Sequence, residues 1–194
     1  GEGCYTGDVT LPNQAYGYVL RSPHAHARIK FIDPSAAMAA PGVLIVLTGS
    51  EYRAENLGKL PLVVPPIPNL DLEKMLRPPR LALACDKVNF VGEEVAFVVA
   101  ETLDQAKDAA ELIDVEYEPL PSVVDAEEAL KDGAPLVWAK CPGNLSFTEE
   151  MGDKKSTDAA FASAKHIVKL RSVVNRASAN TIEARGTNAD YNPS

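Results

Sequence analysis

The stretch EVAFVVAETLDQAKDAAELIDVEYE, residues 94–118, decides the fold. Val95–Ala100 is a short, valine-rich apolar run, which predicts a buried strand. Thr102 follows as a helix N-cap, with Gln105 three residues on at capping-box spacing. Ala106, Ala109, Ala110 and Ile113 then recur at i, i+3, i+4, i+7, so one helix face is apolar. Asp104, Lys107, Asp108 and Glu111 take the opposite, solvated face. Asp114–Glu118 alternates as a second strand, which Pro119 and Pro121 end.

Upstream, Lys87–Glu101 reads as two β segments meeting near Gly92. Tyr16–Asp33 is two-residue periodic. If Ala25–Ile32 is one strand, Ala25, Ala27 and Ile29 share a buried face, and His26, Arg28 and Lys30 a wet one. Asp33-Pro34-Ser35 offers an N-cap with proline at the first helical position, predicting a short helix to the Pro41-Gly42 turn. Val43–Thr48 resumes as a buried strand, and Ser50 begins a weak helical turn. Leu60–Arg80 carries Pro61, Pro65, Pro66, Pro68, Pro78 and Pro79, a density that excludes regular structure.

Downstream, Asp125 with Glu128 repeats the cap signal for a helix through Leu130, stopped near Gly133. Strand, helix and strand thus occur twice, which is the pattern of an α+β domain. Asn144–Asp153 is polar and turn-rich, Thr157–Ala164 reads as a short helix, and His166–Asn175 alternates as a long strand with no partner after it. That last segment reads as the opening of a second domain. The chain begins at Gly1 and stops at Asn192-Pro193-Ser194 in an extended segment, as expected of a piece of a longer polypeptide.

Composition narrows the function classes. The 194 residues are 46% hydrophobic and 24% charged, the balance of an ordinary globular chain. Lys and Arg number 19 against 27 Asp and Glu, a formal net charge of −8 with no basic stripe, which argues against nucleic acid as a partner. The longest apolar runs fall far short of a membrane span, and no signal-peptide pattern opens the chain. The three cysteines, Cys4, Cys85 and Cys141, are too far apart for a CxxC site and odd in number, so free thiols and a cytoplasmic location are expected.

Several polar groups invite a chemical reading, and each has a plainer one. His24 and His26 could pair on one strand face as zinc or copper ligands, but only His166 remains as a further histidine, so a wet or interface-lining face is favoured. Glu93 and Glu94 are adjacent, point to opposite faces of a strand, and cannot converge on one substrate atom as acid and base. The Thr102–Ile113 helix has no glycine-rich loop ahead of it to cradle a phosphate. Cys85 and Cys141 have no neighbouring histidine, only Lys87 and Lys140 nearby, and read as small interior residues. Glu183 and Arg185 are the most distinctive polar residues near the C-terminal end.

Taken in order, Gly3-Cys4-Tyr5-Thr6-Gly7-Asp8, Leu11-Pro12, Arg21-Ser22-Pro23-His24-Ala25-His26-Ala27-Arg28-Ile29, Pro41-Gly42-Val43, Val91-Gly92-Glu93-Glu94-Val95-Ala96 and Tyr117-Glu118-Pro119-Leu120-Pro121 form a series. It resembles the α/β-hammerhead domain that begins the large subunit of molybdenum hydroxylases: the xanthine dehydrogenase, aldehyde oxidase and aerobic carbon monoxide dehydrogenase family. Pro142-Gly143-Asn144, Gly152-Asp153 and Asn175–Tyr191 resemble the entry into that subunit's molybdopterin-binding region. At Glu183-Ala184-Arg185-Gly186 the chain departs from relatives that carry proline after the glutamate.

The resemblance implies an α/β-hammerhead with mixed β-strands and short packing helices over 1–140. A linker and a truncated opening segment of the molybdopterin-binding domain then follow over 141–194. It implies a structural module of an oxidoreductase that hydroxylates a carbon or oxidises carbon monoxide. The cofactor would be a molybdenum-pterin (molybdopterin or its cytosine dinucleotide) held by the intact subunit, with iron–sulfur clusters and FAD in partner subunits or domains. The family's glycine-rich loop beside the molybdenum and its general-base glutamate have no counterpart here. The expected set of catalytic, cofactor-binding and metal-ligating residues within 1–194 is therefore empty, and the chain alone is expected to be inactive. Carbon monoxide, an aldehyde, a purine and an N-heteroaromatic compound all stay open as substrates. The other reading is an independent, non-enzymatic binding or scaffolding module that reuses the hammerhead fold.

Overall fold

Two three-stranded ladders organise residues 15–149 in the computed structural model, which describes residues 2–61, 73, 75–174, 177–178 and 180–191. In the first sheet the order is β1 (Tyr16–Arg21), β5 (Glu94–Ala100), β3 (Val43–Thr48). In the second it is β4 (Lys87–Val88), β2 (Ala27–Asp33), β6 (Asp114–Pro119). Every pairing is antiparallel. This is the hammerhead arrangement of strands with few, short helices that the family resemblance implies.

The quoted stretch builds the core as its periodicity requires. Helix α3 (Leu103–Glu111) buries Ala106, Ala109 and Ala110 against Ala96, Val98 and Ala100 of β5, with Ala37, Val46 and Ile113 completing the cluster. Alanine on the helix lets the backbone approach the sheet closely, and burying this apolar surface is the main favourable term. The Thr102 hydroxyl accepts the Gln105 backbone N–H at 3.2 Å. It also donates to Gln105 Oε1 at 3.0 Å, so the glutamine is spent on the hydroxyl and not on the Thr102 backbone.

In β2 a bulge changes the parity expected from alternation. Ile29 pairs with Tyr117 and Phe31 with Glu116, which leaves Lys30 as the extra residue. Strict alternation would put Ile32 on the wet face with Lys30. The bulge returns Ile32 to the core and leaves Phe31 exposed. A second cluster, Ala27, Ala84, Val88 and Val95, fills the space beside the second sheet.

Of the short helices, the first two differ from expectation in their caps, and the one after α3 keeps the expected cap. Helix α1 (Ser35–Met38) starts after Pro34, and Asp33 accepts the Ser35 N–H at 2.9 Å instead of capping a helix that begins at Pro34. Helix α2 (Gly49–Ala54) begins with a reciprocal cap: Glu51 accepts the Thr48 backbone N–H at 2.9 Å and the Thr48 hydroxyl. Gly49 is required there, because a Cβ would collide with the carbonyl oxygen of Ala84. Helix α4 (Ala126–Ala129) is capped by Asp125, which accepts both the Glu127 and Glu128 N–H groups at 2.9 Å. Pro61, Pro78 and Pro79 lie in no helix or strand, whereas Pro65, Pro66 and Pro68 fall outside the described residues.

Gly1–Gln14 and Glu150–Ser194 form a separate unit. It holds a 3-10 turn at Thr6–Asp8 and helix α5 (Lys154–Ser163), whose N-cap Asp153 accepts the Ser156 N–H at 3.0 Å. The helix thus starts three residues before the expected Thr157. The strand expected over His166–Asn175 does not form across residues 166–174, and Asn175 lies outside the described residues. Its alternating side chains find no ladder: Val168 is 91% and Leu170 90% exposed. A strand needs a neighbour to satisfy its N–H and C=O groups, and none is present among the described residues of this unit. Among the described residues no helix is long and apolar enough to cross a membrane.

Candidate functional site

The second sheet and the loop after α4 enclose a groove of about 650 Å³, lined by His26, Arg28, Lys30, Lys87, Glu118 and Leu136 among others. One residue holds the loop in place. Asn144 adopts φ 55°, accepts the Val137 N–H at 3.0 Å, and donates to Ala129 O at 2.9 Å and Pro135 O at 3.0 Å. Asparagine tolerates the left-handed region, and its amide satisfies backbone groups on both sides of a turn. Lys87 crosses to the same loop, donating to Val137 O at 3.1 Å with its ammonium 5.7 Å from the centre of the Trp138 ring.

The histidines do not share a strand face, because β2 starts only at Ala27. The His24 ring leans on Tyr117 with centroids 4.8 Å apart, and burial pushes the Tyr117 hydroxyl above its usual range. His26 Nδ1 lies 2.7 Å from Pro121 O, a geometry in which Nδ1 donates, and its Nε2 is buried without a hydrogen-bond partner. His166 belongs to the other unit. Among the described residues no three His, Cys, Asp or Glu side chains converge on one point.

A smaller cavity of about 290 Å³ adjoins Cys85, Asn89, Glu93 and Trp138. Glu93 and Glu94 diverge, as their adjacency requires. Glu93 turns in to accept the Asn89 backbone N–H, and burial holds its carboxyl above the usual range against the opposing pull of Asn89. Glu94 turns to Arg21, which donates to it and to Gly92 O, both at 2.8 Å. Neither carboxylate is freely solvated. The Cys85 thiol donates to Gly49 O at 3.1 Å, Cys141 is buried, and Cys4 is exposed. Arg53 pairs with Asp86 at 2.6 Å, which holds the guanidinium above its usual range.

In the unit formed by the two chain ends, Glu183 Oε1 accepts the Thr6 N–H at 3.1 Å and Asn188 Nδ2 donates to Thr6 O at 2.9 Å. Both polar groups of one peptide residue are therefore held from the same distant segment, with Gly186 close against the Thr6 side chain.

Chemically the groove mixes the cations Arg28, Lys30 and Lys87 with the carboxylates of Asp86 and Glu118 beside apolar side chains, which suits binding more than bond-breaking. No hydroxyl or thiol side chain is among the described residues lining this groove, so it holds no nucleophile beside a base. In the sequence Asn144 stands out only as part of Pro142-Gly143-Asn144 and of a turn-rich stretch, with no contact expected of it, and the Thr48–Glu51 cap is not among the expectations. The second was legible as Thr-x-x-Glu before a helix, whereas the first had no local signal.

The chain matches a family model described as the aldehyde oxidase and xanthine dehydrogenase a/b hammerhead domain over residues 1–121. It is 41% identical over 181 residues to the carbon monoxide dehydrogenase large chain of Afipia carboxidovorans, an alignment covering 87% of this chain and 21% of the relative. It is 35% identical over 195 residues to 6-hydroxypseudooxynicotine dehydrogenase complex subunit gamma of Paenarthrobacter nicotinovorans, covering 100% and 24%. A crystal structure of a Cu,Mo-CO dehydrogenase superposes with a TM-score of 0.69 at 40% identity, covering 85% of this chain and 21% of that one. The chain thus spans about a fifth to a quarter of the length of these relatives.

Proposed function

The chain belongs to the aldehyde oxidase and xanthine dehydrogenase α/β-hammerhead family, and from that membership we propose that it is a structural N-terminal module of a molybdenum-dependent oxidoreductase large subunit. In this reading it supports the molybdopterin domains and carries no catalytic residue of its own. The observation that carries the reading is where its polar side chains go. His26, Asn144, Lys87 and Glu183 each bond backbone groups that fix a loop or a chain end.

The described residues do not fit a molybdenum-pterin. A helix N-terminus with free N–H groups, ideally behind glycines, is the ready-made seat for a pterin phosphate. The Thr102 hydroxyl already takes the Gln105 N–H, and the N-terminus of α5 is closed by the Asp153 carboxylate, which would repel a phosphate. The groove itself places Asp86 and Glu118 among its cations. In this reading the cofactor sits in other parts of the large subunit, with iron–sulfur and FAD groups in partner subunits or domains.

We divide the chain into a hammerhead domain over 1–140 and a linker with the opening segment of the molybdopterin-binding domain over 141–194. The exposed apolar side chains of Ile167, Val168, Leu170, Val173 and Val174 support this, since such a set needs a partner surface. Free thiols at Cys4, Cys85 and Cys141 support a cytoplasmic location. The substrate is set elsewhere in the subunit.

The test is removal of residues 1–140 from the polypeptide encoded by the whole reading frame. The expected result is a large subunit that no longer retains molybdenum or reduces a dye with its substrate. Unchanged molybdenum content and turnover in the deleted protein would overturn the proposal.

A further inference from the structure

Two short segments, residues 59–61 and 77–80, line a cleft of about 570 Å³ in the larger unit. Three of its described lining residues, Lys59, Arg77 and Arg80, are basic and none is acidic, in a chain whose acidic residues outnumber the basic ones 27 to 19. Elsewhere surface cations meet carboxylates: Arg21 has Glu94, Arg53 has Asp86 and Lys131 has Glu128. Lys59 and Arg80 are exposed and form no ion pair among the described residues.

The frame that carries these cations is held at three points. The Tyr52 hydroxyl donates to Gly58 O at 3.0 Å, where a φ of 85° turns the chain into Lys59. The Leu60 N–H donates to Arg80 O at 2.8 Å and joins the two segments. Leu76 is held through both its polar groups: its N–H donates to Ser146 O at 3.0 Å, and its carbonyl accepts the Ser146 hydroxyl at 2.7 Å. Pro61, Pro78 and Pro79 fix their own φ and bias Leu60, Arg77 and Pro78 before them toward extended backbone. A frame built this way loses little backbone freedom when a ligand arrives.

Cations gathered on a stiff frame without a counter-charge raise the local potential, and an anion offsets their mutual repulsion. Phosphates are commonly seated on free backbone N–H groups, but the three prolines have none and the Leu60 N–H is spent on Arg80. Recognition therefore falls to the side chains. A planar guanidinium takes a carboxylate through two parallel hydrogen bonds, and a lysine adds a compact charge. Leu60 and the proline rings supply apolar surface beside the charges, which a bare inorganic ion leaves unused and a short hydrocarbon body covers. A cleft of several hundred Å³ has the dimensions of a small-molecule site. We propose that it binds a small organic anion carrying two or more carboxylates. This binding is independent of the structural role proposed above.

Calorimetric titration of citrate into the polypeptide encoded by the whole reading frame tests this, with acetate and inorganic phosphate titrated at the same ionic strength. The expected result is one citrate per chain, bound more tightly than either of the other two anions. Arg80→Gln and Lys59→Gln should each weaken citrate roughly tenfold or more, because each removes a charge-assisted contact. Both side chains are exposed, and Arg80 holds Leu60 through its backbone carbonyl, so both variants keep the frame. Lys107→Gln, on the solvated face of α3, should leave citrate affinity unchanged. Absence of saturable citrate binding, an affinity that neither cleft variant alters, or inorganic phosphate bound as tightly as citrate would each overturn the proposal.

Discussion

The Glu183 carboxylate accepts the backbone N–H of Thr6 at 3.1 Å across 177 positions of sequence. With Asn188 on the Thr6 carbonyl, this contact ties the N-terminal segment to the 181–191 segment. Glu183→Ala removes the acceptor and should raise hydrogen exchange at the Thr6 amide by about tenfold, the equivalent of one ordinary hydrogen bond. Glu183→Gln keeps an acceptor oxygen and should retain most of the protection. Equal exchange in all three proteins would refute the clasp.

Asn144 is the pin of the loop that closes the groove. Asn144→Ala removes one acceptor and two donor contacts and also forces alanine toward positive φ, so a loss of about 2–4 kcal/mol is expected. Asn144→Asp keeps the acceptor for the Val137 N–H and loses both donor contacts. Urea denaturation should rank wild type above Asp and Asp above Ala, and a stability unchanged in Asn144→Ala would contradict the assignment.

Gly49 marks the close approach of α2 to the Ala84–Cys85 segment. Gly49→Ala places a methyl group against backbone atoms that cannot swing away, with an expected cost of about 3 kcal/mol or more. Gly92→Ala serves as a contrast, because nothing crowds that position and only its positive φ of 88° resists the change. Thermal unfolding should show the larger drop at Gly49.

Glu93 gives the fold a pH dependence of definite sign. Burial raises its carboxyl above the usual range, so the folded state holds this proton more tightly than the unfolded chain does. The resulting stability is fully present below the unfolded pKa and is lost as pH rises through the folded pKa. Glu93→Gln keeps an acceptor for Asn89 and removes the titration. The variant should unfold at a higher temperature than wild type near neutral pH, with the gap shrinking as pH falls through the carboxylate range. A gap that widens on acidification would show the sign to be wrong.

The parts of the fold that local chemistry dictates were legible in the amino-acid order. Ala106, Ala109, Ala110 and Ile113 could face only one way on a helix, and Thr102 and Asp125 could serve only as caps in that setting. What escaped depends on partners distant in sequence. Nothing near Lys30 announces the bulge that turns Ile32 inward, because the bulge is set by register against β6. Nothing near Asn144 shows that its amide will meet Ala129 and Pro135. The alternation over residues 166–174 was read correctly as a pattern, yet a pattern forms a strand only when an edge is there to receive it. The polar candidates followed the same rule: Glu93 and Glu94 diverge because neighbouring strand residues must, whereas the separate fates of His24 and His26 required knowing where β2 begins.

The most direct measurement is metal analysis of the purified 194-residue chain expressed in cells that make molybdopterin, together with dye reduction by carbon monoxide, an aldehyde, a purine and an N-heteroaromatic compound. A supporting module predicts no molybdenum above background and no reduction with any of the four. Molybdenum at one equivalent per chain, or dye reduction that follows the chain through purification, would contradict it.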